Sequence, residues 1–153
     1  MHPQNYDDVF KTSLEYFSGD ELAANVWLSK YAVKSNGFYY EKTPCEMHHR
    51  MTKEFHRVEE DYCNVDLSHP GLSTYFRTNP SLSYSKIFSY FDKFKYIIPQ
   101  GSVMNVLGNP YVIGSLSNCV VLPEIHDSYG GILYTDQLLA QLFKRRAGVG
   151  IDI

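Results

Sequence analysis

One order of segments restricts the fold of this chain more than any other feature: an aliphatic run, a helical run and a Gly-rich aliphatic run within residues 115–153. Ser115-Leu-Ser-Asn-Cys119-Val-Val-Leu122 is rich in β-branched and aliphatic residues and flanked by turn formers, so it reads as a buried strand carrying one thiol. Asp127 and Ser128 are N-cap residues for a helix running to about Arg146, with Ile132, Leu139, Leu142 and Phe143 expected on one face. Gly148 and Gly150 end that helix and open a second strand, Val149 to Ile153. Strand, helix and strand in this order make a parallel βαβ unit with a right-handed crossover. Cys119 and the second Gly-rich turn are then expected on neighbouring strands. Just upstream, the extended segment Tyr96-Ile-Ile-Pro99 leads into a turn at Gly101 and Ser102, which can offer backbone N–H groups and a hydroxyl to a phosphate.

The first 95 residues have a different texture. Asp7 or Asp8 caps a short helix bearing Val9, Phe10, Leu14 and Phe17 and ended by Gly19, and Asp20 opens a second with Leu22, Ala23, Val26 and Trp27 as its core stripe. Asn36-Gly37 predicts a tight turn, with Phe38-Tyr39-Tyr40 extended after it. Thr43-Pro44-Cys45-Glu46 is a helix start with a capping box, leading a stripe of Met47, Met51, Phe55, Val58 and Tyr62. His48, Arg50, Lys53, His56, Arg57, Glu59 and Glu60 fall largely off that stripe and are expected in solvent. Residues 63–81 read as a loop with one helical turn, punctuated by Pro70-Gly71 and Asn79-Pro80, and Ser83 to Phe94 regains helical spacing. The expected organisation is a helical domain, 1–95, followed by an α/β segment, 96–153.

Composition removes several function classes. A net charge of −3 gives no polyanion-binding signature, so nucleic acid is not expected as a partner. No apolar run long enough for a membrane span and no signal peptide is read. Three widely spaced cysteines, 45, 63 and 119, suit a reducing cytoplasm better than a disulfide framework. Cys45, His48, His49, His56 and Cys63 could suggest zinc, but no second ligand pair has suitable spacing, and no metal site is expected. Ser83-Tyr-Ser-Lys86 copies a nucleophile motif without its companion motifs, and Gly148-Val-Gly150 is too short for a dinucleotide fingerprint. Cys119 taken alone is a small buried hydrophobe or a reactive thiol; Asp127-Ser128 taken alone is a helix cap.

Pro99-Gln-Gly-Ser102, Ser115-Leu-Ser-Asn-Cys119, Asp127-Ser-Tyr-Gly-Gly-Ile132 and Lys144-Arg-Arg-Ala-Gly-Val-Gly-Ile-Asp152 resemble, in this order, the start of the catalytic barrel of ribonucleotide reductase large subunits. Gly19-Asp-Glu-Leu-Ala-Ala-Asn-Val-Trp-Leu-Ser-Lys-Tyr-Ala32 and Thr43-Pro-Cys-Glu-Met47 are similar to the helical domain that precedes it. The resemblance implies the opening strands of a ten-stranded α/β barrel and reduction of ribonucleotides to deoxyribonucleotides by a radical route. It implies that Cys119 is one half of a redox pair whose other cysteine lies further along, re-reduced by a thioredoxin-like dithiol. Gly101, Ser102, Asn118 and Gly148 match positions used around the substrate diphosphate and ribose. Many relatives carry Ser-Pro-Thr where this chain has Gly101-Ser102-Val103, so backbone contacts are the ones expected there. Asp127 and Ser128 match the pair that holds the ribose of a dNTP or ATP effector at a homodimer interface.

By the same resemblance, the radical-bearing cysteine and its finger loop lie beyond Ile153, so the 153-residue chain by itself is expected to be inactive, as a fragment or as one piece of a split subunit. The radical source is adenosylcobalamin or a di-metal partner subunit; the wording of Gly19 to Ala32 and the missing N-terminal cone lean towards cobalamin. Two rival functions are a non-catalytic nucleotide-binding regulator that keeps Asp127-Ser128, and a helical protein-interaction module.

Overall fold

The computed structural model describes residues 2–63, 66, 68–78 and 82–152, apart from the side chains of Cys63 and Phe76. The molecule is mixed α/β, mostly helical with small sheets, and divides into two compact units, Met1–Ile98 and Pro99–Ile153. The change of texture expected at residues 95–96 thus falls at Ile98–Pro99. Among the described residues, no helix is long and apolar enough to cross a membrane.

The first unit opens with α1 (Tyr6–Tyr16) and α2 (Glu21–Lys30), packed on each other. α1 stops at Ser18 (φ +55°), where the Gly19 N–H reaches back to the Leu14 carbonyl and that of Ser18 to Glu15, a Schellman ending. Asp20 caps α2 by accepting from the Ala23 N–H at 2.9 Å. The buried face of α2 is Ala24, Trp27 and Leu28, while Leu22, expected in the core, is 74% exposed. Its buried stripe is thus rotated from the expected one, with only Trp27 common to both.

A two-residue turn, Asn36 and Gly37, both at positive φ, joins β1 (Lys34–Ser35) to β2 (Phe38–Tyr39) as an antiparallel hairpin. Gln4 bridges to Tyr39, adding the N-terminal segment to the hairpin edge. α3 (Pro44–Cys63) follows, with Glu46 Oε2 accepting from the Lys42 N–H at 2.6 Å. The expected turn of helix in the next loop is α4 (Thr74–Thr78); Asn79-Pro80 lies outside the described residues. Ser83 caps α5 (Tyr84–Phe91) by accepting from Lys86 N, which accounts for the Ser-x-x-Lys pattern as helix punctuation.

α5 packs on α3, and a 3₁₀ turn, Asp92–Phe94, closes over the same helix. Lys93 and Phe94 both take left-handed backbone conformations, uncommon for side-chain-bearing residues, and the Phe94 ring lands on His48 (centroids 4.6 Å apart, edge-on). Because α3 is covered by α5 and this turn, its buried face is wider than an apolar stripe. Met47 and Met51 are buried as expected, but so are Thr52 and two residues expected in solvent, His48 and Arg50. Phe55, Val58 and Tyr62 lie on the outer half of α3 and remain 42–50% exposed.

The second unit contains α6 (Gly101–Val106), β3 (Cys119–Val121), α7 (Tyr129–Lys144) and β4 (Gly148–Gly150). β3 and β4 pair in parallel with Cys119 opposite Gly148, Val120 opposite Val149 and Val121 opposite Gly150. α7 crosses between them and packs on β4, the βαβ order read from the sequence. Four details differ. Residues 101–106 form a helix rather than a simple turn. The ordered strand is three residues long and is not buried, since Cys119 and Val121 are exposed. Among the described residues β4 ends at Gly150, and Ile153 lies outside them. The inward face of α7 is Gly131, Thr135, Leu138, Leu139 and Leu142, whereas Ile132 and Phe143 are about half exposed.

The end of α7 is made by Arg146 rather than by a glycine. Arg146 sits at φ +64°, its N–H reaches the Phe143 carbonyl and that of Ala147 reaches Leu142. Its guanidinium donates to Asn105 Oδ1 at 2.9 Å, tying α6 to the end of α7. Ala147, Thr135 and Met104 are the buried centre of this unit.

Candidate functional site

The residues leading into β3 are ordered by short local hydrogen bonds. Ser115 Oγ accepts from Ser117 N and donates to the Ser117 carbonyl, while Ser117 Oγ donates to Cys119 O, so the run before the strand is shaped by its own serines. The Ser115 N–H bonds to Arg145 O, and Gly114 beside it allows close approach: a Cβ there would lie 2.8 Å from Val106 Cγ2. Asn118 is the hub. Its main-chain carbonyl accepts from Gly148 N at 2.7 Å, and its side-chain Oδ1 accepts from Ser102 N at 2.7 Å. That bond leaves Nδ2 as the donor end of the amide, without a partner among the described residues.

Four of the expected substrate and redox residues therefore meet: Ser102 at the start of α6, Asn118 and Cys119 at the start of β3, and Gly148 at the start of β4. Gly101 precedes Ser102 in the first turn of α6. Cys119 is exposed and is a free thiol. Side chains at alternate strand positions share a face, so Cys119 and Val121 lie on the same side as Gly148 and Gly150. The glycines leave that side bare. A Cβ on Gly148 would stand 3.9 Å from Cys119 Sγ and 3.1 Å from Asn118 O. The arrangement is an accessible thiol beside backbone with no side chain over it, with an amide donor next in sequence. The expectation of a free Ser102 N–H for phosphate is corrected, because that N–H is bound to Asn118.

The second pair of expected residues lies at the other end of the unit. Ser128 is the cap of α7, accepting from Gly131 N at 3.0 Å, and Asp127 is not used as a cap. Gly131 permits this turn, since a Cβ there would overlap the His126 carbonyl. Asp127 instead lines a cavity of about 370 Å³ with Glu124, Ile125, His126, Ile132 and Asp152. Three carboxylates in that lining favour hydroxyl or cationic groups over phosphate oxygens.

The other thiol with a described side chain is of a different kind. Cys45 is partly buried, and burial, followed by the nearby Asp92 and Glu46 carboxylates, pushes its pKa up, which makes it a poor nucleophile. Among the described residues, no group of three His, Cys, Asp or Glu side chains is placed to hold a metal ion; the Cys63 side chain lies outside them.

Two polar groups in the first unit escaped the reading of the sequence. Arg50 and Glu41 form a buried ion pair, Nε to Oε1 at 2.7 Å, and Glu41 Oε2 also accepts from the Val33 N–H at 2.9 Å. No local pattern announces that partnership. A cavity of about 480 Å³ is lined by His2, Gln4, Tyr40, Lys42, Glu46, His49, Arg50, Lys53 and Tyr84. Its signal was present as Glu46, His49, Arg50 and Lys53, a polar i, i+3, i+4, i+7 series on α3.

Compared with protein-family models, curated proteins and solved structures, the chain has no significant match.

Proposed function

We propose that this chain is the N-terminal part of a ribonucleotide reductase catalytic subunit, in which Cys119 is one of the two thiols that reduce the substrate ribose. The observation that carries the reading is the junction of Ser102, Asn118, Cys119 and Gly148, residues far apart in sequence, around an accessible sulfur. Reduction at C2′ breaks the C2′–O bond, releases the oxygen as water and forms a C2′–H bond. The two thiols supply two electrons and two protons and join as a disulfide, which a thioredoxin-like dithiol reopens by exchange. In this scheme the bare Gly148 edge admits the sugar to Cys119, and the Asn118 amide donates to a substrate oxygen. Three of the four motifs that resemble the reductase family fall at this junction, and the fourth, Asp127–Ile132, opens α7 at the other end of the unit.

The same reading takes β3 and β4 as the first strands of the ten-stranded barrel and the subunit as a cytoplasmic homodimer. Asp127, released from capping by Ser128, is assigned to a sugar hydroxyl of a dNTP or ATP effector, with the triphosphate assigned outside the acid-rich lining of its cavity. Adenosylcobalamin or a di-metal subunit would start the radical. That step is assigned outside the described residues.

The test uses the assembled catalytic subunit with its radical generator. Cys119→Ser is expected to abolish multiple turnover driven by an external dithiol while nucleotide binding is kept. Turnover by the variant at the wild-type rate would overturn the reading and favour a nucleotide-binding regulator.

A further inference from the structure

The first unit contains the larger of the two cavities described above, and nothing in the proposed reductase chemistry uses it. Its walls come from four separate elements. The N-terminal segment contributes His2 and Gln4, held over the hairpin by paired main-chain bonds, Gln4 N to Tyr39 O at 2.9 Å and Tyr39 N to Gln4 O at 3.0 Å. Tyr40 and Lys42 follow β2, one face of α3 gives Glu46, His49, Arg50 and Lys53, and α5 gives Tyr84. The wall side chains are braced: His49 Nδ1 meets the Tyr84 hydroxyl at 2.8 Å, and the His49 ring stacks on Phe88 at 4.1 Å.

The charge balance points to the ligand. Arg50 is matched by buried Glu41. Lys42 and Lys53 are exposed and form no ion pair among the described residues, and His2 and His49 add two imidazoles. Glu46 is the one carboxylate in the lining, and its Oε2 is already held by the Lys42 N–H. In a protein of net charge −3, two lysines without an ion pair thus stand against a single carboxylate around one concave surface with tyrosine walls. Two unpaired ammonium groups facing a common volume repel each other, a cost that an anion between them removes. The volume, about 480 Å³, suits a small organic molecule.

We infer that the cavity between the N-terminal segment, the hairpin, α3 and α5 binds a small phosphorylated molecule, with Lys42 and Lys53 on its phosphate groups. This inference stands apart from the reductase reading, because every lining residue belongs to the first unit and none to the Cys119 junction.

The experiment is titration of the full chain with pyrophosphate and with adenosine 5′-monophosphate at low salt, followed through the imidazole NMR signals of His2 and His49. Both probes are expected to shift those signals saturably, and adenosine without phosphate is not. Lys42→Ala and Lys53→Gln are each expected to weaken binding by about tenfold or more, with Trp27 fluorescence unchanged as the folding control. Raising salt from 50 to 200 mM should weaken it further. Absence of any saturable shift in the wild-type chain, or wild-type affinity in both variants, would overturn the inference. A Cys119→Ser chain should bind the probes as the wild type does, so failure here is distinguishable from failure of the reductase reading.

Discussion

Acid should destabilise the first unit through His48 in particular. This imidazole is completely buried, neither ring nitrogen has a hydrogen-bond partner among the described residues, and Phe91 and Phe94 pack against it. Burial pushes its pKa down to about 4; the Asp92 carboxylate opposes the shift and His49 adds to it. The unfolded chain binds the proton near the ordinary value of about 6.5. A group whose pKa is lower in the folded state stabilises the fold above its unfolded pKa, and that contribution is lost as pH falls through the window from 6.5 to 4. Between pH 7.5 and 4.5 the linkage relation gives a loss of roughly 2–3 kcal/mol from this one residue, a large part of a typical domain's stability. The assay is urea unfolding read from Trp27, the single tryptophan, which is buried in the first unit and reports on it alone. His48→Phe keeps an aromatic ring and removes the titration. Wild type should lose roughly 2–3 kcal/mol more than the variant over this range, while acid effects from the carboxylates are common to both. Parallel losses would refute the assignment of a buried neutral imidazole.

Three further outcomes are expected. Arg50→Met leaves Glu41 buried with the Val33 N–H as its one remaining partner among the described residues, and should cost about 3–5 kcal/mol in urea unfolding, little relieved by salt. Gly131→Ala drives a Cβ into the His126 carbonyl, and should cost about 1–3 kcal/mol and speed hydrogen exchange in the first turn of α7. Iodoacetamide should modify Cys119 well before Cys45, and Gly148→Val, which puts a branched side chain beside the sulfur, should slow the Cys119 reaction about threefold or more without altering that of Cys45.

Elements with local punctuation were legible in the sequence. Asn36-Gly37 dictates its hairpin through two positive φ angles, Thr43-Pro44 starts α3, and the strand–helix–strand order yields the parallel pair Cys119–Gly148. The faces of the helices were legible only in part, because which side is covered depends on neighbours remote in sequence. α5 and the Asp92–Phe94 turn bury His48, although its spacing places it off the apolar stripe. Arg50 is drawn inside by Glu41, nine residues earlier. In the second unit, Arg146 takes a backbone conformation usually left to glycine, since its guanidinium gains Asn105, a partner that no spacing rule identifies. The candidate site was legible as residue types, but not as a junction: the bond from Ser102 N to Asn118 Oδ1 spans sixteen residues, and it removes the free N–H that the Gly101-Ser102 turn suggested. Asp127 and Ser128, read as equivalent caps, turn out to differ, with only Ser128 capping α7.

The central claim concerns the fate of one sulfur atom, and it is tested by a single turnover of the assembled subunit without external reductant, followed by alkylation and mass spectrometry of the Cys119 peptide. If Cys119 reduces the sugar, deoxynucleotide should appear in step with a disulfide joining the Cys119 peptide to a cysteine from the remainder of the subunit. Recovery of Cys119 fully alkylated as a free thiol, with product formed in the same sample, would contradict it.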